Sequence, residues 1–385
     1  MRMSSIDPHA LVATVAAAIV EHRGEAERER RLPVVLRDAL RDARLFALQN
    51  PRELGGLECD LVTVLEVYEA VARLDGPVAW NVWNGNLGPA AALLDPATRA
   101  AIWTPERDTI IANSARPTGA AVAVDGGFAL SGRWDIVSAL DSSDWVAVFG
   151  LVMADGAPVM SPVGMPDIRA FFTPTPSITA LDTWHVGAMR GTGSNTIVAD
   201  GLFVADAFAV SPFAPSQIDR AVFRVPVFTS VSTGGAAVCL GMARASIDEI
   251  IAMAPSKATA VGRPLADVES AQATIASADA QVHAARLLLL DAAAGVVRAA
   301  EQSELIGEPL RGSLRAAMCH AARVSREVVT AMYELGSSSS LYVTCRLEQL
   351  FRDTHAAAQH GLLNPLQLQP AGRILLGQPA GVPIF

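Results

Sequence analysis

Seven histidines and four cysteines are the scarce reactive side chains of this 385-residue chain, and their spacing limits the chemistry on offer. His360 and Asp353 stand seven apart, the interval that puts two side chains on one face of a helix. An imidazole so placed can exchange a proton near neutral pH. A lone histidine in an Ala-rich helix is, however, more often a packing residue than a catalyst. His355 lies five residues before His360, so the two rings point apart and do not make a metal pair. There is no HExxH and no tight His/Asp/Glu cluster, so no metal is expected, and His185 and His320 read as structural. Cys59, Cys239, Cys319 and Cys345 are scattered without a CxxC pair, as buried reduced thiols would be. Ser138 with Asp141 and a distant histidine would suit a hydrolase triad, but there is no G-x-S-x-G elbow. Gly191-Thr192-Gly193 is too short for a nucleotide fingerprint, and both the Rossmann glycine pattern and the P-loop are missing.

Three blocks must position these residues. Residues 1–109 read as helical: Asp7-Pro8 starts a helix over 11–29, Pro33 starts one over 34–43, and residues 61–74 form a strongly amphipathic helix stopped by Asp75-Gly76-Pro77. Residues 78–94 are apolar and carry Trp80, Trp83, Asn84 and Asn86. From 110 to 211 the period changes to that of strands. Asp125-Gly126-Gly127 is a hairpin signal between two alternating runs, and 145–153, 168–173, 195–199 and 202–204 are further strands of a small barrel or sandwich. From 212 to 385 long Ala/Leu-rich segments return, at 228–253, 265–300, 311–335 and 347–359, which predict a four-helix bundle.

Composition narrows the function. The chain is 51% apolar and 18% charged, with net charge −9 and a single lysine, Lys257. No basic stripe marks a nucleic-acid surface. The first 20 residues lack a signal-peptide pattern and no apolar run is of spanning type, so a cytoplasmic protein without a membrane partner is expected. Nothing resembles a nicotinamide site.

Four stretches, in order, resemble the acyl-CoA dehydrogenase superfamily. They are residues 32–80 with their Pro-x-x-x-Gly-Gly loop, GGFALSGRWDIVSAL (126–140), WHVGAMRGTGSNTIVADGLFV (184–204) and LEQLFRDTHAAAQH (347–360). The resemblance spans nearly the whole chain. It implies a mainly α fold with a β insert: an N-terminal helical domain, a central β-barrel or sandwich, and a C-terminal four-helix bundle. The dehydrogenases place a glutamate about eight residues after the Arg-Asp aspartate; here Gly361 stands there, preceded by His360. The flavin-dependent two-component (group D) monooxygenases of the same fold carry a histidine at that place. Dibenzothiophene monooxygenase and the hydroxyphenylacetate and steroid-phenol hydroxylase oxygenase components are of this kind.

That branch implies an oxygenase component that takes reduced flavin from a separate NAD(P)H:flavin reductase. FMNH2 is the first choice and FAD the alternative. With O2 and by way of a C4a-hydroperoxyflavin, it would oxygenate a small aromatic or heteroatom-bearing substrate. It further implies catalytic roles for His360, Ser138 and Asn113. Flavin contacts would come from Trp134 by stacking, Ser138, Arg190, Thr192, Ser194, Lys257, and Ser337, Ser338 and Ser339, the last group across a homotetramer interface. Substrate contacts would come from Trp80, Asn84 and Asn86, the last standing where several relatives carry histidine. Two alternatives remain: an FAD-dependent acyl-CoA dehydrogenase with Glu249 as base, and a flavin-less helical-bundle binding protein.

Overall fold

The computed structural model describes residues 6–161, 164–260 and 262–382. Six helices open the chain: α1 (Pro8–Ala13), α2 (Ala16–Glu29), α3 (Val34–Asp42), α4 (Leu61–Leu74), α5 (Gly76–Gly85) and α6 (Pro96–Ile102). Asp7 caps α1, its carboxylate accepting from His9 N at 2.9 Å. The single helix expected over 11–29 breaks at Thr14, whose hydroxyl turns back onto Leu11 O at 2.7 Å.

Eight strands follow: β1 (Ile111–Val124), β2 (Gly127–Val137), β3 (Trp145–Ala154), β4 (Ala157–Pro158), β5 (Ile168–Pro174), β6 (Thr179–Leu181), β7 (Asn195–Ala205) and β8 (Ala209–Val210). They make one sheet in the order β6-β7-β2-β1-β3-β5-β8, with β4 on β3, which is the central β block of the expected layout. Gly126, at φ 74°, turns the β1–β2 hairpin. Strand alternation sorts the two faces. Val146, Val148, Phe171 and Leu130 enter a core internal to the sheet. Ile111, Ala147 and Phe172 pack with Leu87 and Trp103 of the helical domain.

The remaining helices are α7 (Ala221–Arg224), α8 (Val227–Val231), α9 (Gly234–Met253), α10 (Glu269–Glu301), α11 (Glu308–Gly336), α12 (Arg346–Ala357) and α13 (Leu368–Leu375). The segment expected as one helix over 228–253 restarts at Gly234, where a Cβ would lie 2.3 Å from Trp83 Cδ1. Helices α9 to α12 form the bundle, and α4 joins it along α9 through one continuous apolar core. Helix α10 is long and apolar enough to cross a membrane by length and composition alone. Here it packs in the bundle, and its Arg286 pairs with Glu66 and Glu69 of α4.

The α4–α9 crossing depends on Gly241, where a Cβ would come within 2.3 Å of the Glu69 carbonyl oxygen. A backbone oxygen cannot swing aside as a side chain can. Gly241→Val is therefore expected to cost about 3 kcal/mol. The check is thermal melting, in which the variant should unfold several degrees below wild type; equal melting temperatures would show that the crossing tolerates the bulk.

Candidate active site

The three blocks converge on a cavity of about 940 Å³, at the upper end of the size range for small-molecule sites. Helix α5 supplies one wall. Asp75 caps it, accepting from Val78 N at 3.0 Å, and Pro77 fits its first turn. Trp80, Trp83 and Asn84, at i, i+3 and i+4, then share one face, and all three line the cavity. Trp80 and Trp83 meet edge to face at 4.7 Å between ring centroids.

Opposite them stands His360. Its ring is edge-on to both tryptophans, with centroids 5.5 Å from each. The shared helix face expected for Asp353 and His360 is not what brings His360 here, because α12 ends at Ala357. A turn carries it instead: His360 N donates to Ala357 O at 3.1 Å, and Leu363 N donates to His360 O at 2.8 Å. Burial, followed by the charges of Arg116 and Arg315, pulls the imidazole down to about 4. At neutral pH it is uncharged. Nδ1 faces the Leu362 N–H at 3.4 Å, which leaves the ring proton on Nε2.

A chain of buried hydroxyls runs along the sheet side. Trp80 Nε1 donates to Ser138 Oγ at 3.2 Å; Ser138 and Ser194 are 2.7 Å apart, as are Ser194 and Thr192. Thr192 ends the chain by donating to Met189 O at 2.8 Å. All three hydroxyls line the cavity. Asn113 also lines it, donating to Asn84 O at 2.9 Å.

Asp353 works one layer behind. Wholly buried, it accepts from Met189 N at 2.5 Å and so holds a loop whose Met189 has φ 52°. Burial pushes its carboxyl up to about 8. The unfolded acid titrates near 3.9. The folded chain thus binds the proton more tightly, and the stability this brings is complete below about pH 4 and lost as pH rises to about 8. Asp353→Asn keeps the acceptor for Met189 and should flatten that decline. Melting temperatures at pH 5, 7 and 9 check it: the variant should gain on wild type with rising pH, and parallel curves would refute the assignment.

Several expected site residues are placed elsewhere. Trp134 is not part of this cavity's lining: it is fully buried inside the sheet, donating from Nε1 to Phe149 O at 2.8 Å. Gly119 and Gly132 open its slot, since a Cβ at either would reach the indole at 2.4 and 2.8 Å. Arg190 ties the 186–190 loop to α2, donating to Glu27 O at 3.0 Å and Val186 O at 3.2 Å. Asn86 reaches the cavity wall, but its amide is spent on the backbone of Leu48, Leu45 and Val82, so it is a structural tie. Lys257 donates to Ser339 Oγ at 2.9 Å, and neither it nor Ser337 or Ser338 lines the cavity of its own chain. Glu249 is bonded to Arg346 at 2.9 Å away from the cavity, and no described lining residue is a glutamate. That removes the base of the dehydrogenase alternative.

Sequence reasoning did not point to Arg116 as a wall residue. Pro117 inside a strand run was an available signal of a bulge beside the first β-strand's start. The four cysteines are free, with Cys345 the least buried. Among the described residues no group of three or more His, Cys, Asp or Glu could hold a metal ion.

A helical domain, a sheet and a helical bundle closing on one ring-lined cavity with a neutral imidazole define an enzyme site for a small molecule. The chain belongs to the acyl-CoA dehydrogenase family, matching its N-terminal domain over residues 9–100 and its C-terminal domain over 233–365. Within that family it falls with the flavin-dependent monooxygenases. It is 28% identical over 360 residues to indole-3-acetate monooxygenase of Pseudomonas putida, covering 92% of this chain and 90% of that one. It is also 28% identical over 377 residues to the flavin-dependent monooxygenase oxygenase subunit HsaA of Mycobacterium tuberculosis, covering 93% of each. The crystal structure of the HsaA monooxygenase from M. tuberculosis superposes with a TM-score of 0.90 at 27% identity, over 98% of this chain and 99% of that chain.

Proposed function

We propose that this chain is the oxygenase component of a two-component flavin-dependent monooxygenase acting on a small aromatic or heteroatom-bearing compound. The observation that carries the reading is His360: a neutral imidazole edge-on to two tryptophans, on the wall of a cavity with no glutamate among its described lining residues. The cavity fits a flavin ring in size and in donors, with aromatic walls beside the buried hydroxyls of Ser138, Ser194 and Thr192. Bound reduced flavin, FMNH2 or FADH2, supplies the activation of dioxygen. The protein's part is to hold, orient and protect. The Ser138–Ser194–Thr192 chain offers hydroxyls to the polar edge of the ring. Asn113 fixes the neighbouring strand to α5 and presents its amide to substrate. His360 Nε2 holds the one proton a neutral imidazole can lend and can receive it back from substrate. Trp80, Trp83 and Phe228 exclude water, which protects a reactive oxidant from wasteful decay.

Electrons come from a separate NAD(P)H:flavin reductase in this reading, and the enzyme works in the cytoplasm. Exposed Leu287, Leu288, Leu341, Tyr342 and Val343 on the bundle side support a homotetramer. There Lys257 and Ser337–Ser339 would offer donors to the flavin phosphate of a neighbouring subunit. Light scattering is expected to give a tetramer; a monomer would contradict the assembly.

The functional test is an oxygen-consumption assay with an added NADH:flavin reductase and FMN or FAD, run beside an acyl-CoA assay with an artificial electron acceptor. Flavin-dependent oxygenated product without acyl-CoA oxidation supports the reading. The reverse pattern would overturn it.

A further inference from the structure

A second pocket, of about 330 Å³, adjoins the cavity at α8. Phe228, Val231 and Ser232, at i, i+3 and i+4, share the face that lines the cavity. Val227 and Thr229 line the second pocket instead. Phe228 is the one described residue on both walls, so its ring is the partition between the two spaces. The outer pocket is walled by Leu93, Pro212, Phe213, Phe223 and Val225, an apolar lining. Its Arg224 is already matched, pairing with Asp219 at 2.7 Å and donating to Ala300 O at 3.1 Å.

Elsewhere the cavity wall is tied by polar contacts. Over the 184–190 loop, Met189 N donates to Asp353 at 2.5 Å, Arg30 donates to Trp184 O at 3.1 Å, and Arg352 donates to Gly187 O. The backbone of α8 is pinned as well. Trp83 Nε1 donates to Val231 O at 2.8 Å, and Ser230 Oγ donates to Gln49 at 3.2 Å. The Phe228 side chain, with no polar atom, is held by packing alone. It meets Phe149 edge to face at 5.6 Å between centroids, and Phe213 at 6.3 Å. Phe213 is itself 49% exposed, in the linker between β8 and α7. A half-buried ring held this way can change rotamer while its helix stays in place.

We propose that the organic substrate enters through the outer pocket, and that the Phe228 ring is the door that admits it to the cavity by size and then closes against water. The inference rests on the monooxygenase reading. The cavity also reaches solvent where its lining residues Ile136 and Gln359 are exposed, between the end of β2 and the turn after α12. With flavin filling that mouth, the substrate needs a second way in. A swinging ring meets both demands on the site, since the oxidant must be kept from water while the substrate must still arrive. The outer pocket is then an apolar antechamber, and Phe228 sets the upper size of what reaches His360.

The test follows entry without requiring turnover. Ser232→Cys puts a thiol on the cavity face one turn past Phe228. Its modification by methyl methanethiosulfonate and by the bulkier benzyl methanethiosulfonate is timed in the full-length protein saturated with FMN, with the unsubstituted protein as control for the four native cysteines. In this background Phe228→Ala is expected to speed the benzyl reagent about tenfold more than the methyl one. Ala214→Trp, which fills the outer pocket from its wall, should slow both reagents about tenfold. FMN affinity should stay within about twofold of the parent in both variants. Phe228→Trp should slow the benzyl reagent, and it decides the matter should Ala214→Trp not fold. Rates that none of these changes moves overturn the proposal. So does a thiol that stays unreactive in Phe228→Ala. Labelling abolished by FMN alone also overturns it, because the substrate would then share the flavin's mouth, and the monooxygenase reading would stand. Failure to bind FMN in either redox state, seen separately by flavin titration, overturns both.

Discussion

His360→Ala is expected to lower product formation about 100-fold while leaving the fold intact. The imidazole is the one proton-exchanging group that meets both tryptophan edges, and it lies in a turn after α12, so its loss removes no helical hydrogen bond. Oxygen consumption should persist, with hydrogen peroxide replacing product. The measurement is the ratio of product to oxygen consumed, with the melting temperature as control. An unchanged ratio in a folded variant would remove His360 from the chemistry. The pH dependence has a definite sign. Since burial pulls the imidazole down to about 4, its charge state is constant from pH 6 to 8. Product formation should therefore show no loss attributable to His360 in that window, and should fall as the pH approaches 4. Stability follows the same direction: the preference for the neutral ring is complete above the unfolded value near 6.5 and is lost as pH falls toward 4.

Trp134→Ala is expected to be the most destabilising single change in the sheet, at about 3–5 kcal/mol. The indole fills a slot that Gly119 and Gly132 leave open, and its N–H is satisfied by Phe149 O. Truncation would empty the slot and orphan that carbonyl. Trp134→Phe should recover much of the loss. Neither change should alter reduced-flavin affinity in protein that remains folded. Melting curves and anaerobic flavin titration separate the two roles: Trp134→Phe with wild-type melting and lost flavin affinity would return the residue to the cofactor.

These two residues also mark where sequence reading succeeds and fails. The three-part layout was legible because the hydrophobic period changes twice, near 110 and near 211, and period is a local property. His360 was legible as a candidate through the resemblance that places a histidine before Gly361. The spacing from Asp353 does not place it, since two residues seven apart share a face only while the helix lasts, and α12 stops three residues short. For Trp134 the sequence leaves a flavin contact and a place in the β core equally open. Alternation along β2 says that its side chain is buried, but not whether the space it enters holds a ligand or other side chains. Asn86 and Arg190 show the same limit: their polar groups are consumed by backbone carbonyls of α2, α5 and nearby loops that only the folded chain brings near.

The central claim is that reduced flavin lies in the cavity between the sheet and the helices, with His360 at its reactive side. A crystal structure of the protein soaked anaerobically with FMN and dithionite measures this most directly. Ring density bounded by Trp80, Ser138 and His360 is the predicted result. Flavin density anywhere else, or a cavity closed by side chains with His360 turned to bulk water, would contradict the account.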